Sequence, residues 1–220
     1  MIELVDISKT YGIGTTETQA LKRVNLVIND GDFLVVLGPS GSGKSTMLNI
    51  IGTLDDPTEG YIRIDGKNVS TMKDSEKAVL RNTTIGFVFQ QYKLIPALTV
   101  LENICMPFTI SKENPDMEYI DTLMNSLGIA ELKDKLPNQL SGGEKQRVAV
   151  VRALSRKPKI ILADEPTGNL HSDMSIKLMD LIKENKADDT TVVLITHNEE
   201  LTKYANRVVM INDGFVEEKS

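Results

Sequence analysis

Three short runs hold residue types in an order that could handle a polyphosphate. The first is GPSGSGKST, made of Gly38, Pro39, Ser40, Gly41, Ser42, Gly43, Lys44, Ser45 and Thr46. Its glycines let backbone amides turn inward without a Cβ clash, and a following helix start adds its free amides to form a cage for phosphate oxygens. Lys44 would meet the β and γ phosphates of a nucleotide, and Ser45 would supply a hydroxyl to Mg²⁺. The second run is IILADE, Ile160 to Glu165, an apolar stretch tipped by two acids. Asp164 is suited to holding the metal through its water shell, and Glu165 to polarising an attacking water. The third is LSGGEKQR, Leu140 to Arg147. Small residues before a helix leave free amides and a positive dipole end, so Ser141, Gly142 and Gly143 suit a phosphate contact as well as a helix cap.

Such groups need a rigid frame, and hydrophobic patterning outlines one. The first ~65 residues alternate short β-rich runs with turn signals, which predicts strands at Ile2 to Ile7, Ala20 to Ile28, Phe33 to Leu37 and Tyr61 to Ile64. Helices are predicted over Thr46 to Ile51, Thr99 to Cys105, Asp116 to Leu127 and Gly142 to Ser155, the pattern being mostly helical from about residue 74 to 157. Buried-type strands return at Ile160 to Ala163 and Thr191 to Ile195. Strand, glycine loop, helix and later apolar strands imply a largely parallel α/β core with a helical insertion. Gly12 to Thr18 reads as a polar hairpin loop, and Glu217 to Ser220 as a frayed tail.

Composition bounds the function classes. The 220 residues suit one domain, or one domain with a small subdomain, and the net charge of -6 leaves no broad basic field, so no nucleic-acid partner is expected. Cys105 is the only cysteine, which excludes an internal disulfide, fits a reducing cytosol and suits a packed apolar residue. The N-terminus lacks the pattern of a secretory signal, and the longest apolar runs fall far short of the ~20 residues that span a bilayer, so the chain is not expected to cross a membrane unaided.

With the phosphate loop, the acid-tipped strand and LSGGEKQR together, the chain resembles the ATP-binding-cassette (ABC) ATPases over essentially its whole length. The resemblance implies a phosphate-loop α/β fold of ABC type, residues 1–220 as a single nucleotide-binding domain. It has a mixed sheet core, an N-terminal antiparallel β subdomain and an inserted helical subdomain at about 82–157. It implies ATP and Mg²⁺ as ligands, hydrolysis as the activity, and a head-to-tail pair of copies. Each ATP then lies between one copy's phosphate loop and Ser141, Gly142, Gly143 and Glu144 of the other. Tyr11, in KTYG, resembles the aromatic residue that stacks on adenine. Gln90, in GFVFQQ, resembles the glutamine that joins Mg²⁺ and the attacking water, with Gln91 beside it as a second candidate. His197, in LITHNEE, resembles the histidine that contacts the γ-phosphate and orients Glu165.

The run FVFQQYKLIPALTVLENI is most similar to the branch of lipoprotein-releasing and macrolide- or antimicrobial-peptide-exporting ATPases. In that branch the segment after the glutamine receives a helix of an integral membrane permease. The implied site of action is the cytoplasmic face of the membrane. Tyr92, Leu94, Ile95, Leu98 and Val100 would offer apolar contacts there, or would fill the subdomain's own core. One position departs from the family: EPTGNLHSD carries His171 where an aspartate is usual, and a group titrating near pH ~6.5 in that interface loop would weaken or pH-tune the coupling between subunits, or simply be tolerated. The alternative function is a nucleotide-dependent scaffold or regulatory module without efficient turnover.

Overall fold

The computed structural model describes residues 1–12, 16–168, 170 and 172–219. The expected loop tip at 13–15, His171 and the last residue of the tail lie outside them. In chain order the elements are β1 (Ile2–Tyr11), β2 (Thr18–Ile28), β3 (Phe33–Leu37), α1 (Lys44–Ile51), β4 (Glu59–Ile64), β5 (Lys67–Asn68), α2 (Asp74–Thr84), β6 (Ile85–Val88), α3 (Val100–Ser111), α4 (Met117–Ser126), α5 (Gly142–Leu154), β7 (Ile160–Asp164), α6 (Ser172–Asn185), β8 (Thr191–Ile195), β9 (Arg207–Asn212) and β10 (Phe215–Glu218). They divide into two compact units, Met1–Arg81 with Asp189–Ser220, and Asn82–Asp188.

In the first unit, β2, β1, β4 and β5 form an antiparallel sheet in that order. Its register follows the apolar alternation: Ile2 of β1 pairs with Ile28 and Ile64, and Leu4 with Leu26 and Ile62, so one face is continuously apolar. A second sheet places β3 between β8 and β9, parallel to both, with β10 antiparallel to β9. All five residues of β3 and of β8 are buried, as unbroken apolar runs in a parallel sheet require. The helix α1 begins two residues before the predicted start and buries Met47, Leu48, Ile50 and Ile51.

The second unit pairs β6 with β7 in parallel and builds four helices about them. The helix α5 buries Val148, Ala149, Val150, Val151, Ala153 and Leu154, nearly all round its axis, which marks an interior helix. Two departures from the sequence expectation occur here. Ile85–Val88, inside the stretch expected to be mostly helical, is a strand, because its partner β7 lies some 75 residues on and a local pattern cannot announce a distant ladder. The helix α3 continues past Cys105 through Pro107 to Ser111, since the buried stripe of Ile104 and Phe108 outweighs the one lost amide donor.

Candidate functional site

The phosphate loop joins the carboxyl end of β3 to α1. Gly43 is the residue before the helix and holds φ 108°, and a Cβ there would collide with the Ala20 carbonyl oxygen. A Cβ at Gly38 would strike the Ile211 carbonyl oxygen. The cradle is therefore only as wide as glycine allows. No side chain caps α1 and no acid lies in its first turn, so its first amides, which have no intrahelical acceptor, remain a positive pole. Lys44 lies back over the loop, its ammonium donating to the carbonyls of Gly38 at 2.8 Å and Pro39 at 2.7 Å. The Ser42 hydroxyl is buried and has no partner among the described residues. An amide-lined, glycine-walled pole with a lysine across it fits a polyphosphate.

Two further expected residues belong to the same unit. His197 is exposed, two residues past the end of β8. Because Val36 pairs with Ile195 and the Thr196 amide donates to the Val36 carbonyl at 3.2 Å, His197 and the phosphate loop leave their strands at the same end of the sheet. Tyr11 closes β1 with its ring 42% exposed, and its hydroxyl donates to Asp55 Oδ2 at 2.7 Å. Burial first, then the Asp55 carboxylate, push the Tyr11 phenol above its ordinary range. Burial alone would raise Asp55, but hydrogen bonds from Lys9 and Tyr11 outweigh it and hold the carboxyl below the usual range.

The second unit holds the other set. The strands β6 and β7 run parallel with Val88 opposite Ala163, so Gln90 and Glu165, each two residues further on, leave at the same end of the pair with Asp164. Glu165 has φ 47°, a left-handed conformation that a non-glycine residue adopts only under local constraint. Gln90 is exposed in the turn after β6. Ser141 caps α5 in a reciprocal box: its hydroxyl accepts from the Glu144 amide at 3.3 Å, and Glu144 Oε2 accepts from the Ser141 amide at 2.7 Å. Backbone and hydroxyl bonds from Ser141 hold the Glu144 carboxyl below its usual range. Gly142 is exposed beside the cap, and a Cβ on it would come 3.0 Å from the Tyr92 hydroxyl. The two sets thus lie in different units, one carrying the phosphate cradle, Tyr11 and His197, the other the glutamine, the two acids and the capped glycines. Of the apolar residues after Gln91, Val100 is fully buried in the core while Ile95 is 38% exposed. His171 is outside the described residues.

Sequence reasoning passed over four positions that organise these groups. Arg152, on α5, forks its guanidinium onto the carbonyls of Lys93 at 2.7 Å and Tyr92 at 2.8 Å. A lone cation inside the apolar run VAVVRAL was the available signal. Asn103 is fully buried, donating to the carbonyls of Ile95, Leu98 and Thr99 and accepting from the Ile95 amide. Lys9 and Asp55 surround Tyr11, and no local pattern links residues 44 positions apart.

Similarity to known proteins agrees with these motifs. The family model for the ABC transporter matches residues 21–168. An uncharacterized ABC transporter ATP-binding protein, MJ1508 of Methanocaldococcus jannaschii, is 42% identical over 220 residues, 99% of this chain and 98% of that protein. The macrolide export ATP-binding/permease protein MacB of Chlorobaculum tepidum is 43% identical over 98% of this chain, which spans 33% of MacB. Among solved structures, the dimeric bacterial ABC transporter cassette MJ0796 matches with a TM-score of 0.93 and 44% identity, over 100% of this chain and 98% of that one. A post-hydrolysis state of the same cassette bound to ADP and Pi matches at 0.91 with the same identity and coverage.

Proposed function

The chain belongs to the ABC transporter family as an ATPase, and on that premise we propose that two copies pair head to tail around two ATP to drive an integral membrane permease. The transport is export or extraction of a lipoprotein, peptide or drug. The observation that carries the reading is the phosphate cradle, with its glycine walls, its uncapped helix pole and Lys44 across it. The MacB match supports a permease partner, because that protein's name joins an ATP-binding to a permease part.

In the proposed cycle Tyr11 takes the adenine, residues 38–46 take the phosphates, and Ser141, Gly142, Gly143 and Glu144 of a second copy close on the γ-phosphate. Mg²⁺, when bound, supplies charge neutralisation between the phosphates. Ser45, Gln90 and, through water, Asp164 are the residues to hold it. Among the described residues no group of three or more His, Cys, Asp or Glu side chains could hold a metal by itself, so phosphate oxygens would complete its shell. Glu165 takes a proton from the attacking water and His197 orients Glu165 against the γ-phosphate. Catalysis here is mostly positioning and charge stabilisation, as for phosphoryl transfer generally.

The segment 82–157 is proposed as a subdomain that carries the permease contact, through Tyr92, Leu94, Ile95 and Leu98. No helix among the described residues is long and apolar enough to cross a membrane. Attachment to the cytoplasmic face through the permease is part of the proposal. The test is Glu165→Gln beside Lys44→Ala. Glu165→Gln should bind ATP, form a stable dimer and lose turnover, whereas Lys44→Ala should lose binding itself; near-normal steady-state hydrolysis by Glu165→Gln refutes the assignment.

A further inference from the structure

The hydroxyl end of Tyr11 is held by more groups than a stacking ring requires. Tyr11 donates to Asp55 Oδ2 at 2.7 Å, while Asp55 Oδ1 accepts from the Lys9 ammonium at 2.5 Å and from the Asp56 amide at 2.8 Å. The same ammonium donates to the Asp56 carbonyl at 2.6 Å and stands 4.9 Å from the centroid of the Tyr11 ring. The Leu54 and Asp55 amides donate to the carbonyl of Asn49, in α1, at 2.8 and 3.3 Å.

Asp55 is itself on a fixed segment. The buried ammonium of Lys77 donates to Asp56 Oδ1 at 2.6 Å, and Arg81 donates to the Thr53 carbonyl at 2.8 Å. The Thr10 amide donates to the Thr58 hydroxyl at 3.0 Å. Residues 53–58 are therefore tied at both ends and in the middle to β1 and α2, and Asp55 has no freedom to follow a moving ring. With Lys9 over one face, a flat aromatic ligand has the opposite face on which to stack. Asn49 ties Asp55 to the helix whose start forms the phosphate cradle, so ring and cradle keep a set separation.

From this we infer that Asp55 is a positioning residue for the nucleobase: with Lys9 it fixes the Tyr11 ring at a set distance from the phosphate loop. The inference rests on the reading of Tyr11 as the adenine-stacking residue. Its consequence is that the ring prepays ordering that the ligand would otherwise supply on binding. Removing the anchor should weaken only ligands that carry a base.

The test is equilibrium titration of the full chain with MgADP and, separately, with inorganic pyrophosphate, neither of which turns over. Tyr11→Phe keeps the ring and removes the anchor, Asp55→Ala removes the acceptor, and Tyr11→Ala removes the ring. Tyr11→Phe and Asp55→Ala should each weaken MgADP about five-fold, on the scale of one freed side chain, and leave pyrophosphate unchanged. Their combination should be no weaker than either alone. Asp55→Asn, which keeps an acceptor oxygen, should recover part of the loss. If Tyr11→Ala weakens MgADP but Tyr11→Phe and Asp55→Ala do not, the anchor is refuted while the stacking reading stands. If Tyr11→Ala leaves MgADP unchanged, the stacking reading falls and takes the anchor with it. Equal losses for pyrophosphate mean general damage to the loop and also refute it.

Discussion

Replacing Arg152 should release the turn that follows Gln90. Tyr92 and Lys93 sit consecutively at φ 58° and 48°, a left-handed pair without glycine, which costs about 1–2 kcal/mol per residue. The Arg152 guanidinium bonds both their carbonyls, at 2.8 and 2.7 Å, and a hydrogen bond to a charged group contributes about 1.5–3 kcal/mol. Two such bonds, about 3–6 kcal/mol, therefore exceed the strain of about 2–4 kcal/mol, but by a narrow margin. Losing both reverses the balance. Burial pulls the Arg152 pKa down to about 10, so the guanidinium is charged at neutral pH and both bonds are charge-assisted.

Arg152→Met keeps most of the buried volume and leaves the two carbonyls without their partner, which sets the loss at about 1–2 kcal/mol after the released strain is subtracted. Arg152→Lys retains the charge but not the fork, and should lose about half as much. Urea unfolding followed by far-ultraviolet circular dichroism measures the global term. Hydrogen exchange of peptides covering 90–98 measures the local one, since the turn should exchange faster than the rest of the unit. An unchanged urea midpoint together with unchanged exchange at 90–98 for Arg152→Met would refute the reasoning.

Three other outcomes follow from the same kind of accounting. Asn103→Ala should cost about 2–4 kcal/mol in a thermal melt, because it orphans the Ile95 amide and the Leu98 carbonyl; Asn103→Asp, equal in shape but unable to donate, should lose a comparable amount, and a melt unchanged by both sinks the claim. The Glu144 carboxyl is held below its usual range by Ser141, so its contribution is complete above the unfolded pKa of about 4.5 and is lost as pH falls through the depressed folded value. Glu144→Gln, which resembles the protonated acid, should therefore lower the neutral plateau, change the acid end least and so flatten the acid limb of the stability profile, as pH-stepped urea midpoints can check. Gly43→Ala, forced to φ 108° against the Ala20 carbonyl, should lower MgADP affinity at least ten-fold; unchanged affinity in a titration would show that the cradle tolerates a wider wall.

Much of the frame was readable from patterning because its physics is local or periodic. FLVVL and TVVLI are unbroken apolar runs and became the buried parallel strands β3 and β8. Asp116 and Leu127 flank α4, and Ser141 and Ser155 flank α5, as caps whose signals are short-range. The strand β6 and the passage of α3 through Pro107 were not readable, since one depends on a ladder to β7 and the other on a buried stripe beyond the proline.

By itself the chain determined the chemistry on offer: a glycine loop ending in Lys44 and Ser45, an apolar strand ending in Asp164 and Glu165, and a capped glycine pair at Ser141 to Gly143. Those are runs of neighbours, and neighbours in a chain stay neighbours in a fold. Only the tertiary structure decided what holds them in place. Asp55 reaches Tyr11 across 44 positions and Arg152 reaches Tyr92 across 60, contacts that exist because separate strands and helices pack against one another. No periodicity in a sequence records such pairs, because their energy appears only once the elements have packed.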